Sequence, residues 1–448
     1  MTDQTTQILI LVRLGAELTT KSKRVRARFM RRLEANIRDA LESSGIGHEI
    51  RNEWSRMFVE ADSPAALDVL SRVPGISSVS AIEHRCANDL ETIVRSGESW
   101  FKDRVAGKKF AVRARRHGSH PFRSMDVNVQ LGAALDQYGS VDLGNPDVTV
   151  HVEVRPDAAY FFSGQVAGLE GLPIGTQDRA VALISGGFDS AVAAWYMLRR
   201  GVELDYVLCN LAGAAYERTV LSVVKILADN WSYGSNPRVM VVNFEPVVMA
   251  LRSDVRRQYV QLVLKRLMYR TGVRIAVELG AQAIVTGEAI GQVSSQTLPN
   301  LRCIQEVSPL PVLRPLVAMN KEEIIRCSRK IGTYALSSAV QEYCALVPDR
   351  PATAARVEAV RREEDRLDLA MLDPLIAQRS TVEIRSMRSE DLVLPYVHTD
   401  QIAPDAVVID CRPDYQYRAW HYEGAIHLEL DHLLSNYKQL ERDKTYVL

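Results

Sequence analysis

None of the chain's six cysteines, at positions 86, 209, 303, 327, 344 and 411, sits in a CxxC pair. That absence excludes zinc ribbons and thioredoxin-type redox motifs. No stretch approaches the roughly 20 apolar residues that span a bilayer. Residues 1–14 hold one short apolar run, with no basic leader region and no cleavage site. The expectation is a cytoplasmic chain with reduced thiols and no membrane partner. Nor is there a charge excess: 55 basic side chains stand against 55 acidic ones, which excludes a uniformly basic nucleic-acid binder but not local patches. The Walker A string GxxxxGK[ST] is missing throughout. What is present is a globular composition of 448 residues, 47% hydrophobic and 25% charged, which excludes disorder, collagen-like repeats and coiled coil as the dominant state. At roughly 100–200 residues per domain, the length implies about three or four domains.

Charge is concentrated in the first third. Lys21, Lys23, Arg24, Arg26, Arg28, Arg31, Arg32 and Arg38 face Glu34 alone between 21 and 38. Val25, Phe29, Leu33 and Ile37 recur at spacings of four, so an amphipathic helix with a basic outer face is expected. A second cluster comprises Lys102, Arg104, Lys108, Lys109, Arg113, Arg115, Arg116 and Arg123, opposed only by Asp103. Strands are expected at 8–13, 48–59, 76–82, 110–114, 148–154 and 158–162, helices at 64–72 and 125–138, and a Gly-rich linker at 164–175. Alternating elements of this size predict a small α+β layer. Two basic clusters fit phosphate contacts along a folded nucleic-acid backbone, read by shape since no RNP-type aromatic motif appears.

The chemistry points to the middle of the chain. A buried-type strand at 179–184 runs into Ser185-Gly186-Gly187-Phe188-Asp189-Ser190, and a helix follows at 191–200. Two glycines admit an oxyanion close to the backbone, while loop amides and the helix N-terminus aim partial positive charge at it. Ser185 and Ser190 add hydroxyl donors, and Asp189 can hold a magnesium ion or orient a leaving pyrophosphate.

This string resembles the PP-loop of ATP pyrophosphatases, which cleave ATP to AMP and pyrophosphate while adenylating a substrate oxygen. Thr286-Gly287-Glu288, Gly291-Gln292-Val293-Ser294-Ser295-Gln296-Thr297-Leu298, Arg314-Pro315-Leu316, Lys321-Glu322-Glu323-Ile324-Ile325, Ile331-Gly332-Thr333-Tyr334 and Glu342-Tyr343-Cys344 are similar to the tRNA uracil 4-sulfurtransferases, the 4-thiouridine synthetases that also serve thiamine biosynthesis. The resemblance covers essentially the whole chain. It implies an α/β multidomain protein: a ferredoxin-like α+β segment (1–60), an RNA-binding THUMP domain (61–165), a Rossmann-like PP-loop domain with a parallel sheet (166–395) and an incomplete rhodanese-like domain (404–448).

The resemblance also implies site residues. Leu183, Ile184, Ser185, Gly186, Gly187, Asp189, Ser190, Lys265, Gly287 and Gln296 would bind ATP, accompanied by Mg2+, with Lys265 on a long helix at 247–271. Asp189, Lys321 and Cys344 would be catalytic. The THUMP domain would hold the tRNA acceptor end, with Lys108, Lys109, Arg113, Arg115 and Arg116 as the candidates here. Cys344 would act on an enzyme persulfide and end in a disulfide. Residues 350–372 read as a charged helix, and 381–393 as strand-rich. Beyond Pro395, Asp410-Cys411-Arg412 and His421-Tyr422-Glu423-Gly424-Ala425 resemble the DxR and HxxGA landmarks of a rhodanese. The family's persulfide cysteine belongs after a strand at 445–448, so the domain reads as truncated.

The implied function is adenylation of uridine 8 in tRNA and replacement of its O4 by sulfur. The implied partners are tRNA, a cysteine desulfurase, the thiamine sulfur-carrier protein and a second copy of the chain. The alternatives are another tRNA- or amide-adenylating PP-loop enzyme, or a tRNA-binding module limited to the adenylation half-reaction.

Overall fold

The computed structural model describes residues 7–53, 56–340, 350–392, 402–430, 432–433, 437–441 and 443–448, which fall in two compact units, 1–392 and 393–448. The first unit opens with an antiparallel sheet in the order Val166–Ala167, Ile76–Ala81, Ile8–Leu14, Arg56–Ala61, His48–Glu53. The central strand is apolar on both faces because both are covered. Ile10 and Val12 pack with Phe29, Leu33 and Ile37 of the Lys23–Ser43 helix, while Leu11 joins Phe58, Tyr160 and Phe162 on the other side.

Three expectations change here. The single strand at 48–59 is a hairpin, with His48 opposite Ala61. His48–Glu53 is an edge strand with one solvent-facing side, so its polar residues blend in sequence into its neighbour. The boundary expected after residue 60 falls inside the Arg56–Ala61 strand, and Ile76–Ala81 still pairs with Ile8–Leu14. The expected linker returns to this sheet through Val166–Ala167, and Leu169, Leu172 and Ile174 are buried.

A second sheet follows in the order His84–Cys86, Ala159–Phe162, Val148–Val154, Lys109–Arg116, Ser140–Val141, with the helices Leu90–Val105 and Ser124–Asp136 packed on it. The third sheet has the order Val312–Leu313, Ile284–Val285, Arg179–Leu183, Glu203–Asn210, Arg238–Asn243, Ser380–Glu383. It is parallel except for the last, edge strand. Its strands read as near-continuous apolar runs because helices cover both faces.

The helix expected at 247–271 is two helices, Glu245–Asp254 and Val260–Glu278. Between them the Arg256 backbone N–H donates to Glu363 at 3.0 Å, so the chain leaves the helical path there to meet a distant carboxylate. The strand-rich reading of 381–393 holds only to Glu383. A 3-10 turn (Ile384–Ser386) and the helix Ser389–Leu392 follow, because Arg385 turns inward to Asp39 at 2.9 Å and to the Ser235 carbonyl at 3.0 Å.

The second unit has a parallel sheet in the order Ile426–His427, Val407–Asp410, Tyr446–Val447, with the helix Asp414–Ala419 after the central strand. Arg412 pairs with Asp410 at 2.5 Å. No helix among the described residues is long and apolar enough to cross a membrane.

Candidate active site

In the third sheet the chain runs outward from Arg179–Leu183 to Glu203–Asn210 and Arg238–Asn243, then returns to Ile284–Val285 on the other side. The reversal opens a crevice at the carboxyl ends of Arg179–Leu183 and Ile284–Val285, where open α/β sheets bind ligands. Residues 185–190 follow the first strand and Thr286-Gly287-Glu288 the second.

The two loops touch. A Cβ on Gly287 would lie 2.5 Å from the Asp189 carbonyl carbon and 2.6 Å from the Ser190 nitrogen, so only glycine permits this approach. Gly186 has φ +75°, a conformation that also favours glycine. Gly187 caps the helix Phe188–Arg199, and a Cβ there would meet nothing closer than the Ser185 hydroxyl at 3.6 Å. That clearance, above a helix start whose first amides have no intrahelical acceptor, suits an oxyanion. The serines hold the loop in shape: Ser185 N–H donates to Ser190 Oγ at 3.3 Å, and Ser190 Oγ donates to the Gly187 carbonyl at 3.1 Å.

Asp189 is held from two sides. Lys321 Nζ donates to its Oδ1 at 3.1 Å and its Oδ2 at 3.4 Å, and Gln292 Nε2 donates to Oδ2 at 2.7 Å. Lys321 opens the helix Lys321–Ile331, where the dipole disfavours a cation. The Asp189 carboxylate offsets that, and an Asn320–Glu323 capping box secures the helix start. The Lys321 ammonium also lies 5.3 Å over the Phe188 ring.

Behind this loop lies a second cluster. Glu288, 5% exposed, accepts from Lys265 at 3.3 Å, Arg314 at 2.8 Å, the Tyr269 hydroxyl at 2.6 Å and the Thr286 hydroxyl at 3.2 Å. Burial pushes its carboxyl up, but Lys265, Tyr269 and Arg314 outweigh burial and hold it below the usual carboxylate range. Lys265 is therefore engaged by a carboxylate rather than free. Gln296 is buried, and its Oε1 accepts from the Ala289 N–H at 3.3 Å. The Ile184 N–H is spent on the sheet, donating to the Val207 carbonyl at 3.0 Å.

The structure thus gathers Ser185, Gly186, Gly187, Asp189, Ser190, Gly287 and Lys321, with Lys265 joined through Glu288. Cys344 lies outside the described residues. Sequence reading gave no role to Gln292, Glu288, Tyr269 or Arg314. A lone carboxylate at the end of an apolar strand was the available signal for Glu288. Burial raises the thiols of Cys209, Cys303 and Cys411, and lifts that of Cys86 to about 11, so these four lack the character of reactive cysteines.

The basic clusters divide into side chains turned inward and side chains left exposed. Arg32 is turned inward, donating to the Ile174 carbonyl at 2.6 Å and the Gly234 carbonyl at 2.7 Å. Arg26 is buried, and Arg38 pairs with Glu34 at 2.9 Å. Lys21, Lys23, Arg24, Arg28 and Arg31 remain exposed. On the second sheet Lys109 pairs with Asp142 at 3.1 Å, and Arg116 donates to the His120 carbonyl at 3.1 Å; Lys108 is exposed. Arg113, which donates to the Leu143 carbonyl at 2.5 Å, and Arg115 line a cavity of about 460 Å³ with Arg13, Asn128, His151 and Phe162. His151 stacks on Phe162 with ring centroids 5.0 Å apart. Burial first, then Arg13, Arg115 and Arg113, push its imidazole down to about 4, so it is neutral at pH 7. The cavity therefore offers guanidinium donors, a neutral ring system and the amides of Asn128 and Gln165, beside the arginine-paired carboxylate of Glu153.

The chain matches three family models: the ThiI ferredoxin-like domain over residues 9–80, the THUMP domain over 87–163 and the thiamine biosynthesis protein (ThiI) over 175–369. It is 39% identical over 446 residues to a tRNA sulfurtransferase of Pyrobaculum aerophilum, covering 98% of this chain and 91% of the relative. Against the tRNA sulfurtransferase of Escherichia coli it is 35% identical over 451 residues, covering 98% and 94%. Among solved structures it is similar to a 4-thiouridine synthetase in complex with RNA and bound ATP. That match has a TM-score of 0.73 and 30% identity, and covers 84% of this chain and 99% of the other.

Proposed function

Because the chain belongs to the tRNA sulfurtransferase family, we propose that it activates a tRNA uridine with ATP and exchanges the uracil O4 for sulfur, giving 4-thiouridine. The observation that carries this reading is the Asp189–Lys321 pair at 3.1 Å, set on a glycine loop that starts a helix in the switch-point crevice. ATP phosphates would rest on the amides of residues 186–190. Uracil O4, at position 8 of the tRNA, attacks the α-phosphorus; the O4–P bond forms, the bond to the α–β bridging oxygen breaks, pyrophosphate leaves and the uracil N3 proton passes to solvent. Charge develops on phosphoryl oxygens facing the amides and Lys321, where one preorganised donor is worth about 3 kcal/mol of barrier. Adenylation makes O4 part of a good leaving group, AMP.

Among the described residues, the Mg2+ expected with ATP has no protein-built site. No group of three or more His, Cys, Asp or Glu that could hold a metal exists among the described residues. Asp189 already faces an ammonium and an amide donor, so these side chains do not fit a resident cation, and no step is derived through one.

For the sulfur half-reaction we assign delivery to a persulfide charged by a cysteine desulfurase. Its terminal sulfur adds at C4 and AMP departs with O4. The Cys344 thiolate then attacks the inner sulfur, releasing the thiolated base and forming a disulfide. The Val407–Asp410 strand and the Asp410–Arg412 pair support a rhodanese-like assignment for 404–448. The thiamine biosynthesis match supports a second delivery to the thiamine sulfur-carrier protein. We further assign the Arg13–Arg113–Arg115 cavity to tRNA phosphates, and place the working enzyme in the cytoplasm as a homodimer.

Tests begin with pyrophosphate release in the presence of tRNA. Asp189→Ala is expected to lower it by about 100-fold or more, and unaltered release would remove the role given to the loop.

A further inference from the structure

Asp189 has a second partner besides Lys321, and its geometry says more than packing requires. Lys321 Nζ lies within reach of both carboxylate oxygens, 3.1 Å from one and 3.4 Å from the other, so it does not by itself fix how the carboxylate plane is turned. Gln292 Nε2, 2.7 Å from Oδ2 alone, does. Being neutral, it fixes that plane without competing with Lys321 for the negative charge.

Gln292 is delivered by a tied turn. Ile290 N–H donates to the Val317 carbonyl at 3.1 Å, Gly291 N–H to the Gln296 carbonyl at 3.0 Å, and Ala289 N–H to Gln296 Oε1 at 3.3 Å. Gly291 at the turn has φ +75°. The other end of the Gln292 amide is the telling one: its Oε1 is buried and accepts no hydrogen bond among the described residues. Buried acceptors are rarely left so. Flipping the amide would aim Oε1 at the Asp189 carboxylate, so the observed orientation is dictated by Asp189 at the expense of the oxygen.

We propose that Gln292 is a positioning residue, which holds the Asp189 carboxylate so that Lys321 stays over the phosphate cradle during adenylation. The inference rests on the adenylating function proposed above. Gln292 acts through Asp189 and touches no reacting atom, so its loss leaves ATP binding intact and slows the step that Lys321 serves.

The experiment measures tRNA-dependent pyrophosphate release by the full chain as wild type, Gln292→Met and Gln292→Glu, with thermal melting of each. Methionine keeps the volume and removes the donor, and glutamate places an acceptor where the donor was. Both are expected to lower kcat by about 10- to 100-fold, as for a misplaced catalytic group, with KM for ATP within about 3-fold of wild type. In an Asp189→Asn background, Gln292→Met is expected to cost less than about 3-fold, because residues acting as a unit are not additive. A Gln292→Met variant that melts like wild type and keeps its kcat overturns the role of Gln292 and leaves the reaction assignment standing. So does a full additive loss in the Asp189→Asn background. A wild-type chain that releases no pyrophosphate with tRNA overturns the reaction assignment and this role with it.

Discussion

A carboxylate that is 5% exposed and receives donors from Lys265, Arg314, Tyr269 and Thr286 is a costly group to disturb. Glu288→Gln would leave two cations short of their counter-charge, which typically destabilises by about 3–5 kcal/mol; denaturant unfolding measures it. The pH signature has a definite sign. Because the folded carboxyl sits below its ordinary value, its stabilisation is present above the unfolded pKa of about 4.3 and is lost as pH falls through the folded one. The melting temperature should thus fall on acidification below about pH 4.5, and the fall should be shallower in Glu288→Gln. An equal slope in both would exclude Glu288 as a source. Gly287→Ala puts a methyl 2.5 Å from the Asp189 carbonyl carbon, and because that neighbour is backbone the two loops must part, so pyrophosphate release and the melting temperature should both drop. At this scale the sequence was most legible where glycine was needed. Ser185–Ser190 and Gly287 were readable from loop chemistry and resemblance, whereas Glu288 and Gln292 act through partners 23 and 103 positions away, which no local pattern can pair.

The Lys23–Ser43 helix shows what periodicity conveys and what it withholds. Its apolar face was legible at four-residue spacing, but the inward turn of Arg32 was not, since arginine reads as surface until a neighbour is placed beside it. Arg32 and Asn36 both donate to the Ile174 carbonyl, and Asp39 accepts from Arg385 and the Gly234 N–H. This side of the helix holds the first sheet's layer to loops of the parallel-sheet layer. Arg32→Ala should therefore cost about 1.5–3 kcal/mol of stability with RNA affinity nearly unchanged. Arg28→Ala, on the exposed side, should leave the melt unchanged and reduce the salt dependence of RNA binding. Filter binding across salt concentrations, alongside denaturant titration, separates the two, and equal behaviour would contradict the division. The hairpin at 48–61 and the broken helix near 255–259 were missed for related reasons: an edge strand looks polar, and the break answers to Glu363.

Across the molecule, the net charge of zero conceals a division of labour between cations that hold layers together and cations left open to a polyanion. Arg115, exposed and lining the cavity, is the clearest case of the second kind, whereas Arg13 is buried and donates to Ser80 Oγ at 3.0 Å, and Arg113 donates to the Leu143 carbonyl at 2.5 Å. The cavity's carboxylate, Glu153, pairs with Arg56 at 3.0 Å, Arg155 at 3.1 Å and the cavity's own Arg13 at 3.8 Å, so Arg115 is left to meet a phosphate. His151, held near 4 in the free protein, would have its pKa raised by an RNA phosphate placed beside it. RNA affinity should then strengthen as pH falls from about 7 towards 5, with proton uptake on binding, and His151→Gln should flatten that dependence. Free of RNA the sign reverses: the unfolded chain protonates this histidine near pH 6.5 while the folded one resists, so stability declines over the same interval.

The most direct test of the central claim is nucleoside analysis of purified tRNA incubated with this chain, ATP and sulfide, run beside Asp189→Ala. Sulfide supplies the sulfur directly, so the result reports the Ser185–Ser190 site rather than the delivery system. The account predicts 4-thiouridine and pyrophosphate that both require ATP, with both lost in the variant. Thiolation without ATP, or 4-thiouridine formed equally well by Asp189→Ala, would contradict it.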